Sequence, residues 1–274
     1  MVPNTFEGYT LMGSFSELPR IGKLGYAAGY LTRMKQRDDD DFISMSEAAG
    51  VPASSSHGLA FAGVMISPFE GFSFGAIDYF VKDTINIAYA TGNYLHPLGD
   101  DLALRFQGQF THQRSVGNDE LTGSPFSTWV VGGRAAASYR DFVLSLAGAS
   151  TDDGAAIRWP FGSYPGFVSL MQHKFNRAGE DAWLVGLSYH FKALGLQGLS
   201  AAANYAEGYG ALDPDTGSSL PNQREFNLTL DYHVEKERLR GLWLRVRGSV
   251  LDTDGADRTS KQLRVILNYS IPVL

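Results

Sequence analysis

The chain has 274 residues with a formal net charge of −6, and it contains 31 glycines and no cysteine. The lack of cysteine excludes a disulfide framework, a thiolate metal site and a thiol nucleophile, and the acidic balance argues against a nucleic-acid partner. No apolar run reaches the roughly 18 residues of a membrane-spanning helix, although strands that cross a membrane remain possible because every second residue can be polar.

Hydrophobic and polar residues alternate along most of the chain, which is the period of a β-strand. The alternation predicts thirteen strands, at residues 5–16, 20–34, 58–67, 71–82, 84–94, 101–113, 127–139, 142–150, 183–193, 197–208, 224–235, 240–251 and 260–272. Most of them have about nine residues or more, which is long for a soluble sheet and suits a tilted strand that crosses a membrane.

The connections between these strands are of two kinds. Short turns alternate with longer loops, and the longest loops are predicted at residues 35–57, 114–126, 151–182 and 209–223. Short turns at one rim and long loops at the other are typical of an all-β, antiparallel up-and-down transmembrane barrel. A soluble β-sandwich is the alternative, since its outer face also alternates, and in that case the polar face meets solvent and forms no channel.

Several arginines lie on the polar side of the alternation, namely Arg105, Arg134, Arg245, Arg247 and Arg264. Lys192 and Lys23 follow the same parity. If this side lines a lumen, the guanidinium groups form a positive stripe that concentrates anions and binds carboxylates in a bidentate manner. Alternatively, they pair with Glu225, Asp231 or loop acids and only keep the lumen solvated.

The loop at 151–182 is rich in proline, glycine and aromatic residues, which favours a loop folded onto a surface. Inside a barrel that surface is the lumen, so we expect this loop to narrow the pore. Its polar groups would then face the arginines and suit a solute such as an amino acid; the candidates are Asp152, Asp153, Ser163 and Tyr164. The alternative is an external cap without solute contact.

No motif for catalysis or cofactor binding is present in the sequence. The six histidines lack metal-ligand spacing, and the acidic clusters lack the pattern of a calcium loop. We therefore predict no catalytic residue, no metal site and no cofactor.

Four parts of the chain resemble the OprD-type substrate-specific porins of the Gram-negative outer membrane: residues 1–11, 86–90, 161–167 with 175–180, and 264–274. The proline-glycine segment with Asn176-Arg177-Ala178-Gly179-Glu180 is the most specific of them. The resemblance implies a monomeric barrel of about 18 strands, in contact with outer-membrane lipid and lipopolysaccharide.

The same resemblance implies uptake of small carboxylate-bearing solutes, either basic amino acids or aromatic and organic acids. It also implies a ladder of basic residues opposite a constriction formed by external loops. The five arginines named above are then candidates for the ladder, and the four polar residues of 151–182 for the constriction.

Thirteen strands are too few for such a barrel, and a bacterial barrel has an even number of strands and no open edge. We therefore expect a C-terminal portion of a longer porin, without the signal peptide and first strands, whose sheet has an unpaired edge near residues 5–16. Pairing of 5–16 with 260–272 would contradict this. The predicted function is a passive, selective channel. The alternative is a structural, secretion or adhesion barrel whose loops bind a partner.

Overall fold

A computed structural model of the protein describes residues 4–37, 39–162, 164–234, 239 and 241–270. Its elements are β1 (Thr5–Leu18), β2 (Gly22–Lys35), β3 (Ile43–Ser44), α1 (Met45–Ala49), β4 (Leu59–Ser67), β5 (Phe72–Val81), β6 (Ile85–Pro97), β7 (Leu102–Arg114), β8 (Ser127–Tyr139), β9 (Phe142–Thr151), β10 (Asp181–His190), a 3₁₀ turn (Phe191–Leu194), β11 (Leu199–Tyr209), β12 (Gln223–His233), β13 (Leu242–Thr253) and β14 (Ser260–Tyr269). The thirteen predicted strands are all present, and their ends differ from the prediction by at most three residues.

All fourteen strands belong to one antiparallel sheet in which each long strand pairs with the next one along the chain. The two-residue strand β3 lies off this path and pairs with β2. Within the described residues, β1 pairs only with β2 and β14 only with β13, so the predicted unpaired edge at β1 is confirmed. Short turns favour this order for the strands that they join, because a tight turn leads directly into an antiparallel neighbour.

The two faces of the sheet differ in the way that β12 shows most clearly. Glu225 and Asn227 point to one face and are 0% and 1% exposed, whereas Phe226 and Leu228 point to the other and are 47% and 46% exposed. We call the first face, which the 151–182 loop covers, the inner face, and the opposite one the outer face. Large apolar side chains are therefore exposed and polar ones buried, the reverse of a soluble protein.

One position of the turn between β4 and β5 requires glycine. Gly71 has a φ of +82°, and a Cβ at this position would overlap the carbonyl oxygen of Leu95. Phe72 N donates to Phe69 O at 3.3 Å across the turn. A residue with a side chain would therefore be strained here, both by its backbone angle and by the neighbouring strand.

The predicted loop at 35–57 contains structure that the alternation does not reveal, namely β3 and α1. Ser44 caps the helix by accepting a hydrogen bond from Glu47 N at 3.2 Å, and Gly50 closes it with a φ of 110°. Met45 packs in a core cluster with Met34 and Leu59. The helix is too short to show helical periodicity, so only this packing identifies it.

The strand predicted at 183–193 is shorter at its end than expected. β10 stops at His190, and Phe191–Leu194 form the 3₁₀ turn, with Gly195 in the left-handed region. Lys192 therefore lies in this turn, and its predicted place on the polar face of a strand is wrong.

Candidate functional site

The 151–182 loop lies against the inner face and is bound by hydrogen bonds to strands β7, β8, β12, β13 and β14. Gln113 on β7 forms two bonds with the backbone of Arg158: its Nε2 donates to the carbonyl at 2.6 Å, and its Oε1 accepts from the N–H at 2.9 Å. Thr128 on β8 donates to Ala155 O at 2.6 Å. These polar side chains are buried because the loop supplies the partners that water would otherwise provide.

Glu225 on β12 provides the third attachment. Its fully buried carboxylate accepts backbone hydrogen bonds from Met171 at 3.0 Å, Gln172 at 3.0 Å and His173 at 2.8 Å. With its amide nitrogen facing the carboxylate, Asn227 donates to Oε1 at 2.7 Å. Successive backbone N–H groups around one anion form a nest, which compensates the charge for its loss of solvent.

Glu180, at the end of the loop, is a second buried carboxylate. Arg177 donates to it through Nη2 at 2.7 Å and through its backbone N–H at 2.9 Å, and Nη1 donates to Pro221 O at 2.9 Å. Burial alone would raise the pKa of Glu180, but His173 and Arg177 together lower it below its usual value. Arg177 thus pairs with Glu180 within the loop and joins the loop to the β11–β12 connection.

The five candidate arginines lie on strands β7, β8, β13 and β14 at positions of inner-face parity. Arg247 on β13 stands directly opposite Arg264 on β14. Arg247 Nε donates to Thr229 Oγ1 at 3.3 Å, and Arg264 Nη2 donates to Gln262 Oε1 at 2.9 Å. Among the described residues, neither guanidinium has a carboxylate within ion-pair distance.

Arg245 differs from its neighbours because it is neutralised. It forms two bonds to the carboxylate of Asp231, at 2.6 and 3.0 Å, and its guanidinium lies 4.5 Å from the centre of the Trp243 ring. The indole nitrogen of Trp243 donates to the same carboxylate at 2.9 Å. At this residue the geometry agrees with pairing, the alternative expected from the sequence.

Arg105 lies near the start of β7, next to a short turn, and Arg134 lies in the middle of β8. Arg134 donates weakly to Ser145 Oγ at 3.4 Å, and its Nε is buried without a hydrogen-bond partner. Arg105 is exposed and lines a cleft with Lys23 and Glu17. In the described part of the chain, no ion pair joins Arg105 or Arg134 to a carboxylate.

The loop residues predicted to face the arginines have different surroundings. The carboxylate of Asp152 accepts from Gly154 N at 3.2 Å, so it stabilises the turn after β9, and Asp153 is exposed. Tyr164 packs with Val130 and Ile157, and burial raises the pKa of its phenol. Ser163 lies outside the described residues. Within the described residues, the side chains of Asp152, Asp153 and Tyr164 form no hydrogen bond with the five strand arginines.

Two residues that contact or approach the arginines were absent from the predicted site. Met171 O accepts a long hydrogen bond from Arg264 Nη2 at 3.4 Å. Burial lowers the pKa of Lys174, Glu225 opposes this, and Arg264 and Arg247 lower the pKa further. Lys174 thus adds a third cation to this part of the inner face, which the strand alternation could not indicate because the lysine lies in the loop.

A cavity of about 510 Å³ lies between the loop and strands β2 and β4–β7. Aromatic side chains dominate its lining, in particular Phe61, Tyr79, Tyr89, Trp159 and Phe161. Thr111, Gln113 and Arg158 supply the polar part of the lining. A largely apolar cavity with a few polar groups is the usual form of a small-molecule site.

Within the described residues, no helix is long and apolar enough to cross a membrane. The sequence profile of the family described as "outer membrane porin, OprD family" matches residues 1–273. The chain belongs to the OprD family. It is therefore a porin of the outer membrane, and its apolar outer face is the surface expected to meet lipid.

Solved structures show the same fold. OpdQ of Pseudomonas aeruginosa is 18% identical, with a TM-score of 0.85 over 100% of this chain and 73% of that chain. OpdG of P. aeruginosa is 22% identical, with a TM-score of 0.85 over 99% and 68%. OpdK of P. aeruginosa, in a structure with vanillate, is 21% identical, with a TM-score of 0.83 over 98% and 68%. The sheet of this porin thus has the fold of an antiparallel up-and-down β-barrel. No curated protein matches the chain.

Proposed function

We propose that this porin gives passive, selective diffusion to small carboxylate-bearing solutes, and that Arg105, Arg134, Arg247 and Arg264 guide them past the 151–182 loop. The single observation that carries the proposal is the pair Arg247 and Arg264, which stand opposite each other without a carboxylate partner in the described residues. Like charges directly opposite on neighbouring strands destabilise a sheet. An anionic solute between the two guanidinium groups would offset this repulsion and account for their presence on the inner face.

The surroundings of this pair support an anionic solute. Lys174 adds positive charge from the loop, and Glu225, the nearest acid in the loop attachment, is already occupied by backbone N–H groups. Because the wall is of low dielectric, the three cations concentrate anions more strongly than they would in open water. Hydrogen bonds from guanidinium groups replace part of the hydration of a carboxylate, weakly enough for release.

We favour aromatic acids over basic amino acids as the solutes. The aromatic lining of the 510 Å³ cavity suits an aromatic ring, with Arg158 at its polar side. Asp152 is engaged in a turn, which leaves fewer acidic groups for a cationic side chain. The structure of OpdK with vanillate offers a related example of an aromatic carboxylate. Contact of the solute with Asp152, Asp153, Ser163 or Tyr164 stays a prediction.

The test compares solute flux through the porin after extraction from outer membranes and reconstitution into liposomes. Arg247→Ala with Arg264→Ala should lower benzoate flux about tenfold, the factor expected from losing charged hydrogen bonds, and leave a neutral sugar unchanged. Arg105→Ala with Arg134→Ala should act in the same direction. Arg140→Ala, at an exposed ion pair with Asp101, is the matched control. Equal loss for benzoate and sugar would contradict the proposal.

The proposal includes a monomeric channel that catalyses no reaction and whose outer face contacts lipid and lipopolysaccharide. The single chain follows from membership of the OprD family, because the resemblance to OprD-type porins implies a monomer. Light scattering of the detergent-solubilised porin, corrected for bound detergent, should give the mass of one chain. A dimeric or trimeric mass would contradict this part of the proposal.

A further inference from the structure

Three potential metal ligands meet at the rim where the longer loops emerge, away from the arginines. His57 precedes β4, Asp83 lies in the β5–β6 turn, and Glu120 lies in the β7–β8 loop. One ligand atom of each residue lies within 4.8 Å of those of the other two. His57 Nε2 is 3.7 Å from Glu120 Oε2 and 4.0 Å from Asp83 Oδ2.

Hydrogen bonds fix the Asp83 side chain and the backbone at His57 and Glu120. Asn118 N donates to Asp83 Oδ1 at 3.2 Å and Glu120 N donates to Asp83 O at 2.8 Å, so the two acids are fixed relative to each other. This leaves Oδ2 to face the imidazole. His57 N donates to Ser46 Oγ at 2.9 Å, and Ser46 N donates to His57 O at 3.1 Å. The three loop segments that carry the ligands are therefore held by hydrogen bonds to each other and to Ser46.

A glycine permits the close approach of the β7–β8 loop to Asp83. Gly117 has a φ of +64°, and a Cβ at this position would overlap Asp83 Oδ1. The next residue, Asn118, supplies the N–H for this carboxylate. The close packing of the β7–β8 loop against Asp83 therefore helps to position this carboxylate in the cluster.

One carboxylate oxygen of this cluster has no hydrogen-bond donor in the described residues. Glu120 Oε2 is buried and has no hydrogen-bond partner in the described residues. Lys82 Nζ, 3.7 Å from Asp83 Oδ2, belongs to a side chain that is 71% exposed, so it screens the acids weakly. A buried, unpartnered carboxylate oxygen is costly, and a cation between the three atoms would remove that cost.

We propose that His57, Asp83 and Glu120 bind a divalent transition-metal ion of the Zn²⁺ type. One imidazole nitrogen and two carboxylate oxygens are common zinc ligands, and water would occupy the remaining positions. Mg²⁺ and Ca²⁺ prefer an all-oxygen set, so the imidazole selects against them. The ion joins three external connections that are distant in sequence, and this role is independent of solute transport.

The test titrates Zn²⁺ into the detergent-solubilised porin, without a polyhistidine tag, by calorimetry. One equivalent should bind, and His57→Gln should weaken binding by at least about tenfold. His96→Gln, which changes an exposed histidine near the end of β6, should leave the affinity unchanged. No saturable binding, or the same affinity in both variants, would overturn the proposal. The folded state of each variant is checked by its heat-dependent mobility in gels.

A second measurement separates a metal site from an ion pair between protonated His57 and the acids. Zn²⁺ should slow hydrogen exchange of the amides at residues 117–120 in the unsubstituted porin and leave it unchanged in Glu120→Gln. Co²⁺ should give the visible absorption of a low-coordinate site, and His57→Gln should abolish it. If Zn²⁺ does not change hydrogen exchange in the unsubstituted porin and Co²⁺ gives no visible absorption, the metal-site proposal is wrong and the cluster is an ion pair.

Discussion

Glu225 illustrates how one residue controls the position of a distant loop. Its carboxylate is 0% exposed and accepts N–H groups from Met171, Gln172 and His173, more than fifty residues away in sequence. These donors replace the water that the carboxylate loses on burial. The same hydrogen bonds therefore attach the loop and allow the acid to be buried.

Replacing Glu225 with glutamine tests this attachment. The amide directs N–H groups toward backbone N–H groups that now lack an acceptor, so the cost should be about 1–3 kcal/mol. We expect the amides at 171–173 to exchange hydrogen about tenfold faster, measured by mass spectrometry. Glu70→Gln, in an exposed turn, is the control. Unchanged exchange in Glu225→Gln would show that the loop is held elsewhere.

Glu180 makes the loop sensitive to acid. Because Arg177 and His173 lower its pKa in the folded state, despite burial, its contribution to stability is present above the unfolded pKa of about 4.3 and is lost as the pH falls through the folded value. The difference in melting temperature between the unsubstituted porin and Glu180→Gln should be large at pH 7 and shrink below pH 4.3. A difference that does not change with pH would contradict this assignment.

The loop as an element is seated by packing as well as by charge. Phe175 is fully buried in a cluster with Val168 and Ala206, and Gly208 on β11 lies beneath it. A Cβ at Gly208 would lie 2.7 Å from Phe175 Cδ1 and overlap Glu180 Oε1. The absence of a side chain at Gly208 is thus a condition for the loop to reach the wall.

Gly208→Ala should therefore displace the loop while leaving the sheet intact. Overpacking of this kind costs about 1–3 kcal/mol. Protease cleavage within 151–182 should become faster, and single-channel conductance should rise if the loop narrows the pore as the sequence predicts. Gly248→Ala, where a Cβ has no neighbour within 4 Å, is the matched control. Equal protease resistance in both variants would argue against close packing at Gly208.

Across the whole molecule, the distribution of polarity is that of a protein in lipid. Leu11, Leu228 and Leu263 on the outer face are 68%, 46% and 72% exposed, whereas buried positions on the inner face include Glu225 and Gln113. The family places this porin in the outer membrane, where the outer face gains from lipid what a soluble protein gains from its core.

A charge on the outer face should cost far more than the same charge inside. Leu228→Arg, in the middle of β12, should destabilise the porin by about 2–4 kcal/mol in lipid, measured by urea unfolding in bilayers. Asn204→Arg, in the middle of β11 on the inner face, is the matched control and should cost little. Equal effects would mean that the outer face does not meet the bilayer core.

The positions of the strands and the faces of their side chains can be predicted from the sequence alone. Alternation depends on backbone geometry alone, because successive side chains of a strand point to opposite sides whatever their neighbours are. The strands at 127–139 and 142–150 were thus predicted to within one residue, and the five arginines were assigned to one side of the sheet. The resemblance to OprD porins in residues 161–167 and 175–180 is confirmed at the level of the family.

Contacts between residues that are distant in sequence are visible only in the three-dimensional structure. The alternation predicts the face on which a side chain lies but not its partner there. It therefore could not distinguish Arg245, which pairs with Asp231, from Arg247, which faces Arg264. Glu225 under the loop and the cluster at His57 follow from contacts between residues dozens of positions apart. Such contacts depend on how the irregular loops settle onto the sheet, and no local period in a sequence encodes that packing.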